Sequence, residues 1–173
     1  MHITFEIPVI ADKDKIIQFR NEFAEKYDLL HGANELNAFT DAGLMGWFHY
    51  IAMPAGVNLF GYAKVAGSTY IAKINDEIAG IVSIRHQLND NLLKIGGHVG
   101  YSTHPKFEGQ GVATAMLKFA VNELNQLGIN RVLVTCQQDN IGSAKVIEKC
   151  GGILENVIVV KDKAICRYWI GHE

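Results

Sequence analysis

The chain has only three cysteines, Cys136, Cys150 and Cys166, an odd number with no Cys-x-x-Cys spacing. That count excludes a disulfide framework and argues against a thiolate zinc site. Its seven histidines are scattered, without His-x-x-x-His or His-Glu-x-x-His, so no metal site is expected. Charge of one sign is also missing: 16 basic residues stand against 18 acidic ones and no basic stripe forms, so nucleic acid is not an expected partner. No apolar run approaches the roughly 18 residues a membrane span needs, and no membrane partner is expected. The start, Met1-His2-Ile3-Thr4-Phe5-Glu6, lacks the basic-then-apolar order of a secretory signal. Together these absences predict a soluble, cytoplasmic protein. Apolar residues make up 49% and charged residues 20% of 173 positions, ordinary proportions for a single globular domain with a real core.

Hydrophobic periodicity places the elements. Residues 2–7 alternate and read as a first strand, and a helix follows with Ile16, Phe19, Phe23 and Tyr27 on one face and Asp12 or Asp14 at its N-terminus. From 30 to 68 the pattern loosens, with glycines breaking it and Trp47, Phe48, Tyr50, Phe60 and Tyr62 supplying apolar surface; one or two short helices and a loop are predicted there. Strands at 69–74 and 78–85 flank the turn Asn75-Asp76-Glu77. A strand over about 92–103 is interrupted by Gly96, Gly97 and Gly100, which predict a bulge or a close backbone approach. A helix over 112–127 turns Met116, Ala120, Leu124 and Leu127 inward, and Gly128 stops it. A strand over 131–136, a helix begun by Asn140 or Ser143 and two strands at 154–160 and 164–170 complete the chain. The order predicts a mixed sheet with helices on its faces. The last strand, read as an edge, leaves room for a homodimer.

The stretch Pro105-Lys106-Phe107-Glu108-Gly109-Gln110-Gly111-Val112-Ala113-Thr114 lies between a strand and a helix. A loop this rich in small residues can converge successive N–H groups on one point at the helix's positive end, a main-chain site for phosphate or pyrophosphate. A plain tight turn would use the same glycines. A P-loop is excluded because no Gly-Lys-Ser/Thr occurs, and a dinucleotide fingerprint is weak because Thr114 stands where its third glycine belongs.

This stretch resembles motif A of the GNAT acetyltransferases, Val-x-Pro-x-Tyr-Arg-Gly-x-Gly-Ile-Gly/Ala before a Leu-rich helix. Thr103, Pro105, Phe107, Gly109, Gly111, Val112, Ala113 and Leu117 occupy the matching places. About 25 residues on, the family has a strand, an Asn, a short helix and Lys-x-Gly; 131–135, Asn140 and the run Ser143 to Gly151 follow that order. The segments 85–90 and 97–101 also resemble a bacterial subgroup of predicted acetyltransferases. The resemblance covers 78–152 well and the final hairpin by order.

The resemblance implies an α+β (mixed α/β) fold: a central, mostly antiparallel sheet of 6–7 strands with about four helices on both faces. It implies one N-acetyltransferase domain over 1–173, with 1–68 on the acceptor side and 69–173 as the acetyl-CoA-binding core. Acetyl-CoA, the acyl donor, would thread its arm between two splayed strands. It would be held by Val99, Tyr101, Ser102 and Thr103, by Glu108, Gly109, Gln110, Gly111, Val112, Ala113 and Thr114 around the pyrophosphate, and by Asn140 and Ser143 near the thioester. An amine would then attack the thioester directly. His98 stands where the family often places a Glu base, with His86 on the neighbouring strand. Glu108 replaces the usual Arg, so its side chain is expected to turn away from phosphate, leaving Lys106 or the backbone alone to bind it. The family's thiolate-protonating Tyr aligns with Ile147, so Tyr101 or Cys150 substitutes, or no acid is needed. A non-catalytic acyl-CoA-binding module and a nucleotide-phosphate binder are the alternatives.

Overall fold

The computed structural model describes residues 1–172. Seven strands form two antiparallel sheets. In the first, β1 (Thr4–Glu6), β2 (Gly67–Ile74), β3 (Glu77–Arg85) and β4 (Val99–Thr103) lie side by side in sequence order. In the second, β5 (Val132–Gln137), β7 (Lys163–Ile170) and β6 (Ile153–Val160) lie in that spatial order. Two-residue turns close both hairpins, at Asn75-Asp76 (φ 49° and 65°) and Lys161-Asp162 (φ 49° and 65°). Positive φ at both positions matches the right-handed twist of the strands they join. The homodimer edge read at 164–170 is displaced: β7 lies between β5 and β6, so the strand open to another chain is β6.

Five helices surround the sheets: α1 (Lys13–Ala24), α2 (Met45–Ala52), α3 (Asp90–Lys94), α4 (Val112–Gln126) and α5 (Ile141–Lys149). Apolar positions four apart on α4 (Val112, Met116, Ala120, Leu124) pack with Val82, Ile84 and Val134 in one core. Leu127 lies past the end of α4 and is exposed. On the opposite face of the four-stranded sheet, Ile16, Phe19 and Phe23 of α1 and Trp47 of α2 pack over Ile71, Ile78 and Ile81. Trp47 is fully buried and its Nε1–H donates to the Ala33 carbonyl; with Phe48 and Tyr50 it is core, whereas Tyr62 is exposed. Between the strands, α3 replaces the first part of the long strand expected over 92–103. The Asn89 side chain accepts the Leu92 N–H at 2.8 Å and starts a turn of helix that the apolar run had concealed. The β3–β4 register is continuous, with no bulge in β4.

Candidate active site

The loop before α4 is the first component. Gly111 caps the helix with φ 83°, a left-handed conformation that a Cβ would strain, and Gly109 has φ 73°. None of the six consecutive N–H groups from Gly109 to Thr114 donates to an acceptor among the described residues. Gly109, Gln110 and Gly111 are exposed. Unpaired donors gathered at the positive end of a 15-residue helix are the arrangement by which main chain alone can meet an anion. The Glu108 carboxylate points away, to Lys26 Nζ (3.0 Å) and Tyr27 Oη (2.5 Å) just beyond α1. Partial burial opposes its ionisation, but those two donors hold its pKa below the ordinary value. Lys106 is also engaged elsewhere, 2.8 Å from Glu77.

The second component is the gap between β4 and β5. No ladder joins these strands. Arg85 N–H bonds the His98 carbonyl and His104 N–H bonds the Ala79 carbonyl, so even-numbered residues of β4 face β3. Val99, Tyr101 and Thr103 therefore turn their main-chain groups toward the gap. Ser102, expected beside them, does not: its Oγ is bound to the main chain of His31, donating to the carbonyl (2.7 Å) and accepting from the N–H (2.8 Å). Across the gap, the Tyr101 and Ser143 hydroxyls are 3.1 Å apart. Burial pushes the Tyr101 phenol up to about 12. Asn140 caps α5, its Oδ1 accepting the Ser143 N–H at 3.1 Å. Cys150 points its thiol at the Thr114 carbonyl, and Ile147 is fully buried beneath α5.

His98 closes one end of the gap. Its own N–H donates to the Leu133 carbonyl (2.8 Å) and its Nδ1 accepts the Leu133 N–H (2.9 Å), so one residue makes both bonds that a ladder would make. Burial, with the Arg85 guanidinium second, drives its pKa down to about 4. The lone pair a general base needs is committed to Leu133, so the base expected at His98 is a strand staple instead.

The other face of β4 carries a group that no motif announces. The close approach foreshadowed by Gly100 is that of Gly32: a Cβ on Gly32 would sit 2.3 Å from the Gly100 oxygen. Asn34 and Glu35 follow with φ 48° and 64°, and the Glu35 carboxylate accepts from Tyr62 Oη at 2.7 Å. The exposed His31 ring has no bonded partner among the described residues, and its pKa is lowered by local desolvation and by Arg85. The spacing of loop 30–68 gave no signal for His31, because tertiary bonds to Ser102 put it there. Among the described residues, no group of three or more His, Cys, Asp and Glu side chains could hold a metal ion. Among them, too, no helix is long and apolar enough to cross a membrane.

Comparison with known proteins identifies similar folds. The chain superposes on a ribosomal-protein-S5-alanine acetyltransferase from Vibrio fischeri (TM-score 0.71, 14% identity, covering 99% of this chain and 93% of that one). It also superposes on a GNAT-family acetyltransferase from Streptococcus pneumoniae (0.64, 17%, 99% of each chain). A third neighbour is a microcin C7 self-immunity acetyltransferase in complex with acetyl-CoA and AMP (0.69, 18%, 98% and 92%). At these identities the likeness is one of fold. Among curated proteins no sequence relative was found. The family model described as an acetyltransferase (GNAT) domain matches residues 8–153, spanning the N-terminal helices, the loop before α4 and the strand gap, and the chain belongs to that family.

Proposed function

We propose that this protein transfers the acetyl group of acetyl-CoA to a primary amine by direct attack. The observation that carries the reading is the row of unpaired amides from Gly109 to Thr114 beside a gap without a ladder. A pyrophosphate fits those donors, and an extended pantetheine arm fits the free main-chain edge of Val99, Tyr101 and Thr103. The fold neighbour with acetyl-CoA bound supports the same donor here. Asn140 and Ser143 flank the inner end, where the thioester would lie.

The chemistry then needs two proton movements. The amine attacks the thioester carbonyl, the tetrahedral oxyanion is held by a main-chain N–H of β4, and the C–S bond breaks to release the CoA thiolate. His31 takes the amine proton: it is held neutral, its ring is uncommitted, and its backbone is pinned against β4. Tyr101, protonated far above neutrality and bonded to Ser143, returns a proton to the thiolate. The products are the acetamide and free CoA. Residues 1–68 form the acceptor side and 69–173 the cofactor core of one domain. The three cysteines are free thiols, which suits a reducing cytosol.

Calorimetry with CoA, acetyl-CoA and ATP, followed by a thiol-release assay against an amine panel, tests this. CoA binding with thiol release on adding an amine supports it. CoA binding without transfer to any amine would identify an acyl-CoA sensor, and competition by ATP alone would identify a nucleotide-phosphate binder.

A further inference from the structure

β3 ends in Arg85. Ile81 and Ser83 face the α1–α2 side, so strand alternation puts Arg85 on that same acceptor side. Its Nη1 donates to the Gly96 (2.8 Å) and Gly97 (3.1 Å) carbonyls. Nη2 and Nε have no acceptor among the described residues, and no carboxylate among them lies within ion-pair distance. No side-chain nitrogen or oxygen sealed from solvent lacks a partner among the described residues, so Nη2 and Nε are not sealed off, although the guanidinium is largely buried and burial lowers its pKa.

Other substantially buried cations are matched. Arg20 pairs with Asp41, Lys73 with Asp12 and Arg167 with Glu155. Lys64 has no carboxylate, yet its ammonium meets three carbonyls, of Tyr50, Ile51 and Met53, one for each of its donors. Arg85 alone among these offers five donors and finds two acceptors. Its neighbours add no negative charge: His31 and His98 are held neutral, and the Tyr62 phenol is raised well above its usual value by burial and its bond to Glu35.

The location is specific. Nη2 lies 3.2 Å from the point where a Cβ on Gly100 would be, and the Gly32 backbone approaches the same point to 3.2 Å. Gly100 sits between Val99 and Tyr101, the residues whose main chain borders the gap. We infer that the open edge of Arg85 binds a carboxylate of the acceptor, so that the acetylated amine belongs to a free amino acid or a close analogue, with carboxylate and amine a few bonds apart. The inference rests on the acetyl-transfer reading, which sets the thioester beside Val99 and Tyr101. A carboxylate matches two adjacent N–H donors and a single uncompensated positive charge; a phosphate dianion would need a second cation that the pocket does not supply.

The test is calorimetric titration of the protein–CoA complex with the standard amino acids and with their carboxamides. We expect at least one acid to bind roughly 10- to 100-fold tighter than its amide, the range of a bidentate charge-assisted contact. Arg85→Gln keeps donors for the Gly96 and Gly97 carbonyls but removes the charge, and should bring acid and amide to within about threefold of each other. Arg85→Lys should retain part of the preference. Were Arg85 only a brace for the 96–97 turn, the variants would lower the melting temperature and leave the acid-to-amide ratio unchanged. If CoA binds and no acid is preferred over its amide, or if Arg85→Gln keeps the preference, the inference is overturned. Failure of CoA itself to bind would instead overturn the reading of the cofactor loop, and this inference with it.

Discussion

Replacing His98 with Asn separates a staple from a base, because an Asn side chain can present an acceptor near the position of Nδ1 yet cannot titrate. In the native protein the imidazole is nearly buried, accepts the Leu133 N–H and has its pKa pushed down to about 4, against 6.5 when unfolded. The unfolded chain therefore binds a proton more readily than the native one between those two values. Stability is full above pH 6.5, falls as pH drops through the window, and the loss is complete below about pH 4. A shift of about 2.5 units corresponds to about 3 kcal/mol in total, and about 2 kcal/mol by pH 5. For a domain of this size that is roughly 4–8 °C of melting temperature. Carboxylates with lowered pKa, such as Glu22 and Glu108, add their own loss at lower pH, and His31 adds some in the same window, but all are shared by the variant. The measurement is urea denaturation of both proteins at pH 7.5, 6.0, 5.0 and 4.5. We expect the wild type to lose about 2 kcal/mol more than His98→Asn between pH 7.5 and 5.0, with transfer rates of the two within about threefold at pH 8. Parallel pH profiles would refute the buried-staple reasoning. A hundredfold loss of kcat in a variant that stays folded would return His98 to the role of base.

The remaining expectations are read from affinity, rate or melting temperature. Gly111→Val adds a Cβ that meets nothing within 4 Å, so the fold should lose about 1–2 kcal/mol, chiefly from the left-handed φ, while CoA affinity falls more than about 100-fold by calorimetry. His31→Ala should lower kcat by about 10²–10⁴-fold and remove the acidic limb of the kcat/KM profile, which in the wild type falls only below pH 6.5 because the pKa of His31 is lowered. Tyr101→Phe removes the hydroxyl facing Ser143 and should cut kcat by at least about tenfold, leaving the Kd for CoA within threefold. Equal rates would mean that the thiolate departs without an acid.

Much of the loop and helix start proposed for the cofactor was legible in the sequence because its requirements are local. A glycine pair before an amphipathic run fixes both a backbone path and a helix start, and those features repeat at recognisable spacing. The turn at 75–76 was legible for the same reason. The reading failed where an element is decided by contacts far along the chain. The run 92–94 reads as strand by composition, yet the Asn89 cap and the turn at 96–97 make it helix. The strand at 164–170 is last in sequence but central in space, since pairing order and chain order are independent.

The same distinction separates the two halves of the candidate site. The proposed phosphate site is made of main chain, so it leaves a trace in which residues are small. The proposed acceptor recognition rests on side chains whose meaning depends on what is absent around them. Arg85 is an unremarked strand end until its lack of a carboxylate is seen, and His31 is one histidine of seven until Ser102 fixes its backbone over β4. His98 shows the converse: a position suggestive by alignment becomes structural once its lone pair is traced to Leu133. Gly32 couples the halves, because a Cβ added there would lie only 2.3 Å from the Gly100 carbonyl oxygen and would drive the acceptor loop off β4. Gly32→Ala should therefore lower the melting temperature and weaken acceptor binding together, while CoA, held by the opposite side of β4 and the α4 loop, keeps its affinity to within a few-fold. A calorimetric titration in which CoA affinity fell as far as acceptor affinity would show the two halves to be one cooperative unit rather than two surfaces sharing a strand.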